Sequence, residues 1–219
     1  MAVRLSLGVL ISGSGTNLQA IIDAIERGDL SAAIRVVISN RSDAYGLSRA
    51  RSHGLPTAVI SHKDFSSREA FETELIKTLH NYEVELVVLA GFMRLLSPFF
   101  VRVFPQRIVN IHPSLLPAFS GTHAQRQAVE RGVRVAGATV HFVDEDVDYG
   151  PIIVQAAVPV YPDDTEDSLS ARILAQEHRI YPQAIQFFAE GRLEVHGRTV
   201  SVHNESRRPT ATLHAPEPQ

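Results

Sequence analysis

Leu5 to Ser12 is a mainly apolar run that stops at the small polar turn Gly13-Ser14-Gly15-Thr16-Asn17, after which Leu18, Ile21, Ile22 and Ile25 recur at helical spacing up to Gly28. A continuous apolar run marks a buried strand, and a three-to-four-residue period marks a half-buried helix. The opening therefore predicts strand, tight turn, helix. Ile34–Ser39 reads as a second strand, Ala44–His53 as a helix closed by Gly54, and Thr57–Ile60 as a short third strand. This βαβαβ rhythm predicts a doubly wound sheet covered by helices on both faces.

The pattern repeats further along. Ser67–Tyr82 carries Phe71, Leu75, Ile76 and Leu79 on one helical face, and Val84–Ala90 is a continuous apolar run suited to a central strand buried on both sides. A Pro-bounded helix over Ser97–Val103, a strand over Arg107–Ile111 and a helix over His123–Arg131 follow. Ala136–Val143 and Ile152–Val160 are β-rich runs separated only by Asp144–Pro151, too short for a crossover helix, so this pair is expected to be antiparallel and the sheet mixed. Ser168–Gly191 reads as a last helix with Pro182 as a bend point. After His196 the chain is polar and rich in Pro, without sustained periodicity. The expected organisation is one catalytic domain over 1–195 and a poorly ordered tail over 196–219.

Composition narrows the function. The 219 residues are 44% hydrophobic and 21% charged, ordinary values for a globular protein that folds in water. A net charge of −3 without any long Lys/Arg run speaks against a nucleic-acid surface and for small-molecule substrates. There is no cysteine, hence no disulfide, thiolate metal site or thiol nucleophile. The first apolar run is short and breaks into a turn, which fits a core strand better than a signal sequence or a membrane anchor.

Four stretches carry candidate chemistry. The SGSGTN turn between strand and helix exposes backbone N–H groups at a positive helix end, where an anion can bind, and Asn17 offers a further donor. It equally suits a purely structural turn, and it lacks both the third glycine of a dinucleotide fingerprint and the Lys of a triphosphate loop. Asn110 and His112 alternate along a strand end and so share one side; a histidine there can also be simply structural. The Asp144–Gly150 segment resembles a calcium loop, but its glycine falls one place late and Gln155 stands where the bidentate Glu belongs. Calcium is rejected, and Asp144, Glu145 and Asp146 read as a solvated turn from which Asp148 can still point inward. Gly91–Ser97 follows the central strand, at the edge where such sheets bind ligands, although its apolar residues also suit a core. His141 reads as a packed, hydrogen-bonded core histidine. His53, His62, His80, His196, His203 and His214 belong to no constellation.

Taken together, LISGSGTNLQAIIDA, VVLAGFMRLLSP, IVNIHPSLLPAFSG, TVHFVDEDVDYGPII and AQEHRIYP resemble the phosphoribosylglycinamide formyltransferases, over about residues 5–195. The resemblance implies a three-layer α/β/α, Rossmann-like sheet of seven strands with one antiparallel. It further implies transfer of a formyl group from 10-formyltetrahydrofolate to the glycinamide amine of a phosphorylated ribosyl substrate in purine biosynthesis, with no metal and no covalent enzyme intermediate. Asn110, His112 and Asp148 would be the catalytic set. The first two would hold the oxyanion, and Asp148 would favour the imidazolium and help relay a proton. Gly15, Thr16 and Asn17 would hold the phosphate, with Glu177 near the ribose or glycinamide part. Arg68, Met93, Arg94, Leu96, Asp144 and Val147 would line the folate site. Ala118–His123 departs from the familiar pattern, which leaves its loop contacts open. The likeness also points to the cytoplasm and leaves a homodimer open. A tRNA-directed formyltransferase would want a basic surface, a deformylase would use water as acceptor, and a bare folate- or nucleotide-binding module would not need all three catalytic residues.

Overall fold

A computed structural model describes residues 4–204 together with Leu213 and Ala215. The elements run β1 (Leu5–Ile11), α1 (Thr16–Arg27), β2 (Ala32–Ser39), α2 (Tyr45–Ser52), β3 (Thr57–Val59), a 3-10 turn (His62–Asp64), α3 (Arg68–Asn81), β4 (Leu86–Leu89), α4 (Pro98–Val103), β5 (Ile108–His112), α5 (Ala124–Glu130), β6 (Val135–Phe142), β7 (Ile152–Pro159), α6 (Glu166–Ala189), β8 (Leu193–His196) and β9 (Thr199–Val202). They form a single sheet in the order β3-β2-β1-β4-β5-β6-β7-β9-β8. β3, β2, β1, β4 and β5 pair in parallel, and β6 is antiparallel to both β5 and β7, as the short connection after Phe142 predicts.

The sheet has nine strands rather than seven. The seven expected are β1–β7, with β6 the antiparallel one, and the terminal hairpin adds two. β9 joins β7 in parallel at the Ile152–Thr199 pair and β8 pairs antiparallel with β9. The tail expected to lack order from His196 onward is therefore strand over Thr199–Val202. Gly197, at φ 60°, turns the hairpin, and each of its strands buries only alternate residues and only partly. Most of the remaining tail, 205–219, lies outside the described residues.

Alternation along the strands builds two cores. In β4, Leu86 and Val88 face one way, into a core shared with α1 and α6, and Val87 and Leu89 face the other, into a core shared with α3 and α4. All four are buried, which is why this strand reads as an unbroken apolar run. The α3/α4 layer reaches only as far as β5. Beyond it Thr139 and His141 of β6 point to the same face as Asn110 and His112, and that polar face is roofed by loops instead of a helix. α6 is capped by a reciprocal Thr165–Ser168 box and runs uninterrupted through Pro182. Its Tyr181 is fully buried, with the hydroxyl 2.9 Å from the Leu89 carbonyl and 3.0 Å from that of Val109. That contact fixes the helix to the carboxyl ends of β4 and β5, where the candidate site opens.

Candidate active site

The turn after β1 is held open by its neighbours. Gly15 caps α1 in the left-handed region (φ 71°), and a Cβ there would stand 2.6 Å from the Gly46 Cα, so the position needs glycine for both conformation and space. Gly46 N–H donates to the Gly13 carbonyl (3.0 Å) and Arg49 Nε to the Ser14 carbonyl (2.9 Å). Ser12 Oγ donates to Asn40 (2.6 Å) and accepts from Met93 N–H (2.8 Å), tying the turn to the segment that follows β4. No side chain caps α1, and the first N–H groups of a helix have no partner within it, so they are free for an anion. A cleft of about 440 Å³ opens over them, lined by Gly15, Thr16, Asn17, Met93, Pro113 and Glu177 among others.

Asn17 is tied to α6. Its side-chain amide N–H is spent on Glu177 Oε2 (2.7 Å), while its Oδ1 is buried without a partner. One of the two amide N–H groups is thus engaged, and the side chain also brings an unpartnered acceptor to the cleft beside the backbone N–H groups of the turn. Burial raises the Glu177 carboxyl above its ordinary value, and the Asn17 amide pulls it back only in part.

Asn110 and His112 sit on β5 and Asp148 on the β6–β7 loop, and the three come together. His112 Nδ1 is 3.4 Å from Asp148 Oδ2, with both side chains nearly buried, and His112 Nε2 is 2.9 Å from the Phe119 carbonyl. Both ring nitrogens thus face oxygen atoms. Asp148 holds its place in a left-handed backbone conformation (φ 53°), accepting the Gly121 N–H at 2.8 Å. The base of its loop packs so closely on β6 that a Cβ on Gly150 would lie 1.8 Å from the Phe142 carbonyl.

His141 is the member that the sequence pattern does not reveal as part of this group. It is buried, as expected of a core histidine, but residues directly opposed in an antiparallel ladder share a face, and it stands opposite Asn110. Its Nδ1 lies 2.8 Å from the Phe142 carbonyl, so Nε2 carries a lone pair that accepts from Asn110 Nδ2 (3.2 Å), 3.8 Å from Asp148 Oδ1. Burial holds His141 below the ordinary histidine value, against the opposing pull of the Phe142 carbonyl and Asp148. A histidine that orients the amide thus stands beside one whose two ring nitrogens face oxygens.

The residues expected at a folate site flank this group. Arg68 is the first residue of α3, Met93, Arg94 and Leu96 lie between β4 and α4, and Asp144 and Val147 belong to the β6–β7 loop. Of these Met93 alone also lines the cleft. Met93, Leu95, Phe99, Val147 and Tyr149 are exposed apolar or aromatic side chains on these segments. Glu145, next to Asp144, pairs with Arg102 of α4 (2.8 Å). Among the described residues no group of three or more His, Cys, Asp or Glu side chains is placed to hold a metal ion, and no helix is long and apolar enough to cross a membrane.

A formyl transferase family model matches residues 6–185, which takes in every residue of the group from Ser12 to Glu177. The phosphoribosylglycinamide formyltransferase of Escherichia coli (strain K12) is 50% identical over 192 residues, covering 88% of this chain and 91% of its own length. The chain belongs to the formyl transferase family, among the phosphoribosylglycinamide formyltransferases. The crystal structure of glycinamide ribonucleotide transformylase 1 from Symbiobacterium toebii superimposes on this formyltransferase with a TM-score of 0.90 at 56% identity, covering 92% of this chain and 95% of that one. The trifunctional purine biosynthetic protein adenosine-3 of Drosophila melanogaster is 53% identical over 190 residues, 86% of this chain and 14% of its own length. The terminal hairpin lies beyond the matched family region, yet it reaches back to the site: the Arg198 guanidinium stacks 3.6 Å from the centre of the Tyr149 ring and donates to the Tyr149 carbonyl, one residue from Asp148.

Proposed function

We propose that the chain transfers the formyl group of 10-formyltetrahydrofolate to the amine of 5-phosphoribosylglycinamide, acting on small molecules in the cytoplasm without a metal. The observation that carries this is the convergence of Asn110, His112 and Asp148 beside a cleft floored by the open N-terminus of α1. The backbone N–H groups of Gly15, Thr16 and Asn17 hold the phosphate, and the Asn17 Oδ1 acceptor with the Glu177 carboxyl takes ribose hydroxyl or glycinamide donors. The exposed Met93 and Val147 and the half-buried Leu96, with Arg68, Arg94 and Asp144, receive the larger, flatter folate.

The chemistry needs no enzyme nucleophile. The glycinamide amine attacks the formyl carbon, a C–N bond forms, and the carbonyl oxygen takes up negative charge. Asn110 donates to that oxygen, and so does the protonated His112 once its Nε2–H turns to it from the Phe119 carbonyl. The amine then loses a proton, the bond to the folate nitrogen breaks, and that nitrogen is protonated through water held near Asp148. His141 keeps the Asn110 amide turned so that its second N–H is free for the oxyanion.

The test is a spectrophotometric assay of 10-formyltetrahydrofolate with and without the ribonucleotide. Acceptor-dependent release of tetrahydrofolate is the expected result. Acceptor-independent release would replace this reading with hydrolysis, and no release by folded protein would leave a tRNA-directed transferase or a binding module.

A further inference from the structure

Glu72 stands on α3 between the core residue Phe71 and the half-turn leading to Leu75, and its side chain is 1% exposed. A carboxylate so placed must find donors, because burial without them is costly. All of its donors come from groups next to the proposed folate site. Arg68 Nε donates to Oε1 at 3.1 Å, Ser97 N–H to the same oxygen at 2.8 Å, and Ser97 Oγ to Oε2. Arg68 in turn donates through Nη2 to the Leu95 carbonyl at 2.5 Å.

These contacts fix both peptide planes around Leu96. A trans peptide carries its C=O and N–H in opposite directions. With the Leu95 carbonyl held by Arg68, the Leu96 N–H is turned away from α3. With the Ser97 N–H held by Glu72, the Leu96 carbonyl is turned away likewise. The donor and the acceptor of one residue are thereby presented together, a pairing that suits the edge of a flat heterocycle carrying its own acceptor and donor.

We propose that Glu72 is a positioning residue for the formyl donor: from inside the fold it orients the Arg68 guanidinium and, through Arg68 and Ser97, aims the Leu96 backbone at the folate ring. This rests on the folate reading given above. It makes the donor site a unit whose parts fail together, while the acceptor site and the oxyanion group are left intact.

The experiment is steady-state kinetics on the full chain for Glu72→Gln, Glu72→Asp, Arg68→Ala and the Glu72→Gln/Arg68→Ala double variant, each substrate varied in turn. Glu72→Gln is expected to raise KM for 10-formyltetrahydrofolate roughly ten-fold, the factor a lost charge-assisted hydrogen bond is worth. kcat and KM for the ribonucleotide change by less than about two-fold, because neither depends on Leu96. Glu72→Asp, which keeps the charge, recovers most of the loss. The double variant is no worse than the worse single one, as expected of residues in one network. If Glu72→Gln does not fold, Glu72→Asp carries the test, with the same split at smaller size. Equal rises in both KM values, a fall in kcat alone, or additive single effects would overturn the proposal. Were Arg68→Ala to leave the folate KM unchanged, the folate reading itself would fall. Were Arg68→Ala to act while both Glu72 variants do not, only the role of Glu72 would be lost.

Discussion

The two ends of the site are built in opposite ways. At the acceptor end the turn Gly13–Asn17 is gripped by backbone and buried side chains from β2, α2, α6 and the segment after β4, and its ligand-facing groups are mostly main chain. At the donor end the proposed contacts are the Leu96 backbone and apolar and charged side chains of two loops and the start of α3, held from behind by Glu72 and at the surface by the Arg102–Glu145 pair. The difference fits the two ligands proposed. A phosphate is small and fully charged and rewards fixed N–H dipoles, whereas a folate is long and partly apolar and rewards area. The catalytic group sits between, on a strand end and a loop base that neither ligand needs to move.

The largest effect is expected at that midpoint. His112→Ala should lower kcat by roughly 10²–10⁴-fold, the usual worth of a positioned acid, while both KM values stay near the parent's. A kcat within ten-fold of the parent would take His112 out of the chemistry, and a matching loss of substrate affinity would make it a binding residue.

The rigid end can be broken through Gly15. An alanine there meets the left-handed conformation, worth roughly 1–2 kcal/mol, and a Cβ 2.6 Å from the Gly46 Cα. Tm should fall by at least about 2 °C, at roughly 2–4 °C per kcal/mol for a chain of this size, and KM for the ribonucleotide should rise with the folate KM unmoved. A stable variant with unchanged kinetics would show that the turn does not hold the phosphate.

Glu177 tests the same end through pH. Its folded value is raised by burial, so between the ordinary carboxyl value and the raised one the folded chain holds the extra proton. Stability from this group is complete below the ordinary value and is lost as pH rises through the raised one. Glu177→Gln removes that loss, so its Tm should decline less than the parent's on going from acid to neutral pH, while its KM for the ribonucleotide rises. Parallel Tm curves would sink the argument. The smallest effect belongs to Arg102→Ala: the pair is exposed, and such pairs contribute little, so the folate KM should move by about two-fold or less. A larger shift would mean that the donor end is braced from outside as firmly as from within.

What was legible in the sequence follows the same division. β4 and α1 announce themselves because period and burial coincide, and Asn110 and His112 share a face by simple alternation. His141 was legible as buried but not as a partner of Asn110, because that depends on the register between β5 and β6, which local pattern does not carry. Glu72 is a charged residue in a helix, and nothing local distinguishes one aimed into the fold from one in solvent. The terminal hairpin was missed because its strands have four residues each and bury little, so they lack the contrast on which periodicity depends. The Asn17–Glu177 bond is illegible for a related reason: the two residues lie 160 positions apart.

The hairpin also has a bearing on self-association. A strand at the margin of a sheet presents unpaired main-chain groups to which another chain can add. β9 covers β7 at Ile152, the end that leads out of the Asp148 loop, and so passes that margin outward to β8. β8 is four residues long, and its exposed Glu194 is already paired with His196 and with His203 beside the hairpin. A chain seeking to extend the sheet there would meet a short, charged border, with β9 between it and the strand that leaves the Asp148 loop.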